Sequence, residues 1–348
     1  MTEAIAFSNE NRAVWDAYVK GHPGATIAHP IGWKDVMEQG LGHRSRYLIA
    51  LDGDQVRGVL PLVLVKTWWR SRYLISLPWI DYGGILADDA DTERLLLEKA
   101  RQTAENDRAE FVEFRSVHAG SQDLPLREDK VTFVLDLDAD PEIPWKAFNA
   151  KLRNQIRKAQ KSDVKVEFGR QDRLNDFYKV FAWKMRDLGT PVWGREFFNS
   201  ILTTFDNPDS PVNAKLVLIR KDDDIIAGGL LLAFKDRLYV PSAASYRSAL
   251  KYCPNHALYW EVIKKGCEKG YREFDFGRST IDGATYKFKI QWVPEPRPLT
   301  WQYYLNTVDE VPSLNPDNSR FDLLIRMWRK LPLPVANFLG PKVIRNFP

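Results

Sequence analysis

The sequence predicts an α/β (α+β) protein of two tandem units, each a mixed, mostly antiparallel sheet flanked by helices. Three observations lead there. The chain has 348 residues, enough for two domains of about 150 residues each. Hydrophobic residues make up 44% and charged residues 28%, the composition of a chain with a full core, so disordered and collagen-like classes are excluded. The third is that one order of elements occurs twice. Tyr47–Leu51, the turn Asp52-Gly53-Asp54 and Val56-Arg57-Gly58 form a hairpin. Val217–Lys221, Asp222-Asp223-Asp224 and Ile226-Ala227-Gly228 repeat it 170 residues later. In both places a third strand follows (Tyr73–Ser76, Leu238–Val240), then a helix. Each ends in an apolar strand with an inward-facing acid, Val112-Glu113-Phe114 and Phe274-Asp275-Phe276.

The elements in order are helices over 10–20 and 31–40, strands over 46–52, 55–67 and 73–78, and a helix over 89–107. Strands over 110–116 and 131–138 lead to a helix over 142–162, a strand over 164–168, and helices over 172–188 and 194–205. Strands over 214–221, 224–235 and 237–244, a helix over 254–269, a strand over 272–276, a short helix ending by Gln291 and a strand over 298–305 complete the pattern. Val/Ile/Leu/Tyr runs bounded by Asp-Gly or Asp-Asp turns mark the strands. Apolar spacing marks the helices, as at Leu95, Leu96 and Ala100. Asn255 reads as an N-cap.

Composition narrows the chemistry. Cys253 and Cys267 are too few for a disulfide framework and lack clustered histidines for a four-ligand zinc site. His22, His29, His43, His118 and His256 share no ligand spacing, so no metal is expected. The phosphate loop, the G-x-S-x-G elbow and the H-E-x-x-H helix are missing. The first twelve residues lack the basic-then-apolar order of a secretory signal, and no 18-residue uncharged apolar run occurs. A cytoplasmic location is expected.

Net charge is +4, and its placement is informative. Residues 318–348 hold six basic side chains (Arg320, Arg326, Arg329, Lys330, Lys342, Arg345) against Asp322, which leaves 44 basic and 45 acidic residues in 1–317. In that tail Phe321, Leu324, Ile325, Trp328 and Leu331 recur at helical spacing. A basic amphipathic helix of this kind either folds back on the first domain or lies on an anionic inner leaflet. A second basic cluster, Lys151 to Arg170, holds seven basic residues against Asp163 and Glu167. Arg153 and Arg157, one helical turn apart, suit phosphate contacts.

The segment from Phe274 to Trp292 carries the most chemistry. An apolar strand ends at Gly277, a polar loop follows, and Lys287 and Lys289 then interleave with Tyr286, Phe288 and Trp292. Loops at strand ends are where open α/β sheets hold ligands. Arg278 and Lys289 are suited to an anionic group or a developing oxyanion. Asp275 is either a base or a buried structural acid.

These residues resemble the Fem family of aminoacyl- and peptidyltransferases, which are tandem GNAT-like proteins. Phe-Asp-Phe-Gly (274–277), Gly283, Phe288-Lys289, then a Trp and a Pro-x-Pro strand look like the family's C-terminal signature. The run Leu152 to Lys161 before Val164-Lys165-Val166 is similar to its basic helix, and His29-Pro30-Ile31-Gly32-Trp33 resembles its motif before the first sheet. The tail Leu331 to Asn337 is closest to the FemAB-like branch associated with exopolysaccharide and PEP-CTERM/exosortase systems.

The resemblance implies attack by an amine on an activated acyl carbon without a metal or a tightly bound cofactor. Lys289 would meet the acyl oxyanion or a nucleic-acid phosphate, with Phe288 packed beside it. Candidate catalytic residues are therefore Lys289 and Asp275. Candidate substrate-binding residues are Phe288, Arg278, Tyr286, Lys287, Arg247, Tyr246, Arg153, Arg157 and Trp33. Two departures stand out. Met37 sits where family members place a lysine for the precursor diphosphate, and Arg247 to Asn255 lacks the [RQ]-x-x-G-x-[GA] pyrophosphate loop. Only glycines let the backbone approach a diphosphate so closely, so aminoacyl-tRNA is favoured over acyl-CoA as co-substrate. The expected acceptor is an amino group on an envelope precursor, a lipid- or nucleotide-linked glycan or peptide. Alternatives are an acyl-CoA-dependent N-acyltransferase and a non-catalytic membrane-associated scaffold. The expected domains are 1–145, 146–306 and a tail, 307–348, docking on the first.

Overall fold

The computed structural model describes residues 1–116, 120, 123–312 and 322–347. His118, Arg320, Phe321 and the side chain of Asp322, named above, lie outside the described residues. In the second half, among the described residues, six strands form one sheet in the order Val134–Asp136, Glu273–Asp275, Arg237–Ser245, Asp224–Phe234, Val212–Lys221, Val164–Gly169. Its hairpins turn at Asp222 and Lys235, both left-handed with φ of 53° and 52°, which suits the twist of the flanking strands. One neighbouring pair is parallel: Leu238 opposes Phe274 and Tyr239 opposes Asp275. The helix Pro254–Glu268 makes the crossover between them. Beyond that register the first of these strands runs on to Ser245, while the other chain turns away at Gly277, where φ is 73°.

The first half repeats this order. Leu48–Asp52 pairs with Gln55–Leu60, Val63–Lys66 pairs with Arg72–Ile75, and the helix Ala90–Asp107 crosses over to Phe111–Ser116. Again the closing pair is parallel, with Ile75 opposite Glu113. The predicted α/β class with mostly antiparallel pairing is what the structure has, but among the described residues the first half divides its strands between a four-stranded and a six-stranded sheet instead of forming one. The long strand expected over 55–67 is two strands in two sheets, parted at Pro61. Proline has no N–H for a ladder, so the chain changes sheets there.

Other local readings change, and the strand expected over 131–138 is likewise two strands in two sheets, Lys130–Thr132 and Val134–Asp136. The helix expected over 31–40 is Gly32–Asp35 followed by a π-helical turn, Val36–Gly40. The helix over 142–162 breaks at Phe148, and Asn149 Oδ1 accepts the Leu152 N–H at 2.9 Å as the new cap. Asn255 is not an N-cap: Cys253 holds that place in the left-handed region, with Pro254 opening the helix.

Each sheet is completed by a strand from beyond its own half. Thr300–Leu305 pairs antiparallel with Phe111–Ser116, and Val134–Asp136 pairs antiparallel with Glu273–Asp275. Lys130–Thr132 lies between Ser279–Thr280 and Arg297–Pro298 in a small sheet at the junction. One contiguous apolar core spans both halves, from Trp15 and Trp33 to Phe177, Phe198 and Phe205. Burying one such ring contributes about 1.5–3 kcal/mol, so the halves are held as one body by packing as well as by strand exchange.

The tail, expected to dock on the first domain, lies along the second-half helix Leu174–Leu188. Ile325 packs on Gly189 and Gly340 on Val192, and Arg186 Nη1 donates to the Leu331 carbonyl at 3.3 Å. Its last residues reach the first half, where Arg345 Nη2 donates to the Gly42 carbonyl at 3.4 Å. Among the described residues no helix is long and apolar enough to cross a membrane.

Candidate active site

The diverging parallel strands of the second half open toward the loop after Gly277, and the first half closes the opening. Asp275 is fully buried at the end of its strand. Its Oδ1 accepts from Thr132 Oγ1 and from the Gly277 N–H, both at 2.8 Å, and its Oδ2 accepts the Tyr82 hydroxyl. Burial pushes the Asp275 carboxyl up, while the Tyr82 and Gly277 hydrogen bonds and the charge of Arg237 oppose it.

Asp81, next to Tyr82, is the second acid. Its Oδ2 accepts the Tyr239 hydroxyl at 2.7 Å and the Arg278 N–H at 2.9 Å, and its Oδ1 lies 3.2 Å from Arg278 Nε. The Arg278 guanidinium lies 5.0 Å above the Trp301 ring, and Arg115 faces the same ring at 4.5 Å. Arg115 Nε donates to Glu113 Oε1 at 2.7 Å, and Tyr303 donates to Glu113 Oε2 at 2.6 Å. The acids that echo in the sequence, Glu113 and Asp275, therefore occupy equivalent strands, and each carries a tyrosine hydroxyl.

Lys289 ends the short helix Ala284–Lys289 and is 7% exposed. Its ammonium donates to the carbonyls of Gly277 at 2.7 Å and Arg278 at 2.9 Å. The third N–H has no partner among the described residues. Burial lowers its pKa to about 8, against the opposing pull of Asp81 and Asp275. The arrangement is a positive charge held in a low-dielectric junction with one free donor, which is suited to a developing negative charge.

The structure gathers Lys289, Asp275 and Arg278, and disperses the rest of the predicted set. Trp33 is fully buried, donating to the Ile27 carbonyl at 2.6 Å and packing 4.9 Å from Phe205, so it has no surface for a substrate. Tyr286 packs on Phe133, and Phe288 on His256 and Tyr259. Lys287 is exposed. Tyr246 meets the Trp183 ring at 5.1 Å, and Arg247 begins an exposed 3₁₀ helix. Arg153 donates to the Lys146 carbonyl at 3.2 Å, and Arg157 lies over Trp145. Sequence reasoning missed Asp81, Tyr82, Tyr239 and Thr132. The Trp79-Ile80-Asp81-Tyr82-Gly83-Gly84 run, an acid among aromatics before paired glycines at a strand end, was the signal available.

A cavity of about 310 Å³ opens in the first half between the Gly83–Ala87 loop and the end of the 111–116 strand, with His29, Arg115 and Gln302 in its lining. Arg115 thus joins that cavity to the junction through Trp301. His29 Nδ1 accepts the Thr26 N–H at 2.9 Å and its Nε2 lies 3.1 Å from the Gly84 carbonyl, with burial lowering its pKa to about 4.

Comparison with known proteins supports the fold. Residues 146–289 match the acetyltransferase (GNAT) domain family. FemX, 15% identical, has the same fold with a TM-score of 0.68 over 88% of this chain and 98% of its own. The C-terminal domain of a putative lysylphosphatidylglycerol synthetase from Agrobacterium fabrum is 14% identical, with a TM-score of 0.55 over 84% and 92%. A tandem GNAT protein from the clavulanic acid biosynthesis pathway is 12% identical, with a TM-score of 0.52 over 89% and 100%. No curated protein matches. The chain carries a GNAT-type acyltransferase fold in the tandem, FemX-like form.

Proposed function

We propose that this chain is an aminoacyl- or acyltransferase that forms an amide bond on an amino group of a cell-envelope precursor. The observation that carries the reading is the Lys289 ammonium, fixed by two carbonyls beside two buried acids. In the proposed step the acceptor amine attacks the acyl ester carbon and a C–N bond forms. The carbonyl oxygen becomes an oxyanion facing Lys289, the C–O bond to the donor breaks, and the proton lost by the amine ends on the departing oxygen. A pre-placed cation of this kind is worth about 2.7–4 kcal/mol in the transition state. Arg278 and the wall shared with Arg115 would hold anionic parts of the substrates.

Aminoacyl-tRNA is the favoured donor. The segment before the helix Pro254–Glu268 is a 3₁₀ helix, Arg247–Tyr252; the Cys253 N–H that follows it donates to the Leu250 carbonyl, and the His256 and Ala257 N–H groups donate to the Cys253 carbonyl. A glycine loop with free N–H groups, the usual cradle for a diphosphate, is replaced by packed structure. The tail motif extends the proposal to the exopolysaccharide-associated FemAB-like branch.

The test supplies the protein with an envelope-precursor fraction and either radiolabelled aminoacyl-tRNA or acyl-CoA. Label transferred to an amide from aminoacyl-tRNA supports the proposal. Transfer from acyl-CoA with thiol release moves the donor assignment to the thioester, and transfer from neither contradicts the enzyme reading.

A further inference from the structure

The docked tail turns its apolar side outward. A helix packed on a globular body ordinarily buries its apolar stripe and shows water its polar face. Here Leu323, Leu324 and Met327 of the helix Asp322–Arg329 are exposed, while Ile325 meets Gly189. In the next helix, Leu333–Ile344, Ala336 and Gly340 are buried, while Val335, Phe338 and Leu339 face out at helical spacing. The exposed face continues onto the first half. Trp68 and Trp69 stand at the turn between Val63–Lys66 and Arg72–Ile75, with Trp68 63% exposed. The Trp68 N–H donates to Asn346 Oδ1 at 3.0 Å, and the Trp69 ring lies 5.5 Å from Phe347.

We propose that this surface, formed by the Trp68-Trp69 turn and the outward faces of the two tail helices, docks the protein on an anionic lipid bilayer. Charge selects the occupant. The excess positive charge of the chain is confined to residues 318–348, so it coincides with the exposed apolar face, and Lys66 and Arg70 flank the tryptophans. Lys342 Nζ lies 3.8 Å over the Phe338 ring, a cation–π pair that sets a positive charge directly on the exposed apolar face. Tryptophan and basic residues over Leu and Phe are what an interfacial helix presents to anionic headgroups. A second copy of the chain would bring the same basic cluster against itself, which is repulsive. Membrane binding by a single weak anchor is marginal; the turn supplies a second, in contact with the first. The inference does not depend on the acyl-transfer reading.

The experiment is co-sedimentation of the full chain with vesicles of equal parts phosphatidylglycerol and phosphatidylcholine, and with vesicles of phosphatidylcholine alone. The protein is expected to pellet with the anionic vesicles, to remain in solution with the neutral ones, and to be released by salt at roughly 0.5 M. Lys330→Glu/Lys342→Glu, and separately Trp68→Ser/Phe338→Ser, are expected to weaken binding by about tenfold or more with unchanged circular dichroism. Wild-type protein left in solution with anionic vesicles, or binding both vesicles equally, overturns the proposal without recourse to any variant. So does a wild-type dimer that Trp68→Ser/Phe338→Ser dissolves, since the face would then belong to a second copy.

Discussion

Tyr82 of the first half donates its hydroxyl to the buried carboxylate of Asp275 in the second, across a separation of 193 residues. That bond and the one from Tyr239 to Asp81 run in opposite directions across the junction, so neither half completes the site alone. Tyr82→Phe keeps the ring beside Tyr239 and removes one donor from a buried acid. The expected cost is about 1–3 kcal/mol, read as a lower urea midpoint. An unchanged midpoint would show that the hydroxyl bond contributes no stability.

Lys289 sets a pH signature. With its pKa lowered to about 8, the ammonium is present below that pH and lost above it. Single-turnover transfer is expected to fall as pH rises through about 8. Lys289→Arg, whose guanidinium stays charged, is expected to lose that descending limb even where its rate is reduced. The same limb in both proteins would assign the titration to another group.

His29 governs acid stability in the opposite sense. Its folded pKa is about 4, below the ordinary value of about 6.5, so protonation favours the unfolded chain. Its stabilising contribution is complete above about pH 6.5 and is lost as pH falls toward 4. His43 and His256 are lowered to about 4 as well, so wild-type protein is expected to weaken on acidification. The loss in urea midpoint between pH 7 and pH 5 is expected to be smaller in His29→Gln. An equal loss would place the acid sensitivity elsewhere.

Gly340 fixes the tail. A Cβ there would stand 2.8 Å from the Val192 nitrogen and 3.0 Å from its carbonyl oxygen, backbone atoms that have no side-chain freedom to yield. Gly340→Val is expected to release the helix Leu333–Ile344, seen as faster limited proteolysis within 330–345 while the rest of the chain resists. Wild-type resistance would mean that the tail is held without this contact.

What the sequence revealed follows physical range. The strand with Asp275, the repeated order of elements and Lys289 were legible because period, turn residues and motif spacing are local. Asp81 and Tyr82 were not, because their partners Arg278 and Asp275 lie 197 and 193 residues away and no local pattern pairs them. Trp33 misled for a related reason: it enters the candidate set through the resemblance of His29–Trp33 to a family motif, and that local match does not show the second-half ring of Phe205 packed on it. Pro61 was readable in principle as the break in a long strand. That the 300–305 strand completes the first sheet was not, since pairing across so long a loop leaves no sequence trace.

The most direct measurement is the single-turnover rate of amide formation by Lys289→Ala and Lys289→Met, each checked for wild-type circular dichroism and wild-type elution volume. The account predicts that both fold and that both lose transfer by about 10²–10³-fold, because the junction is left without its free ammonium donor. Transfer at the wild-type rate in either variant would contradict it.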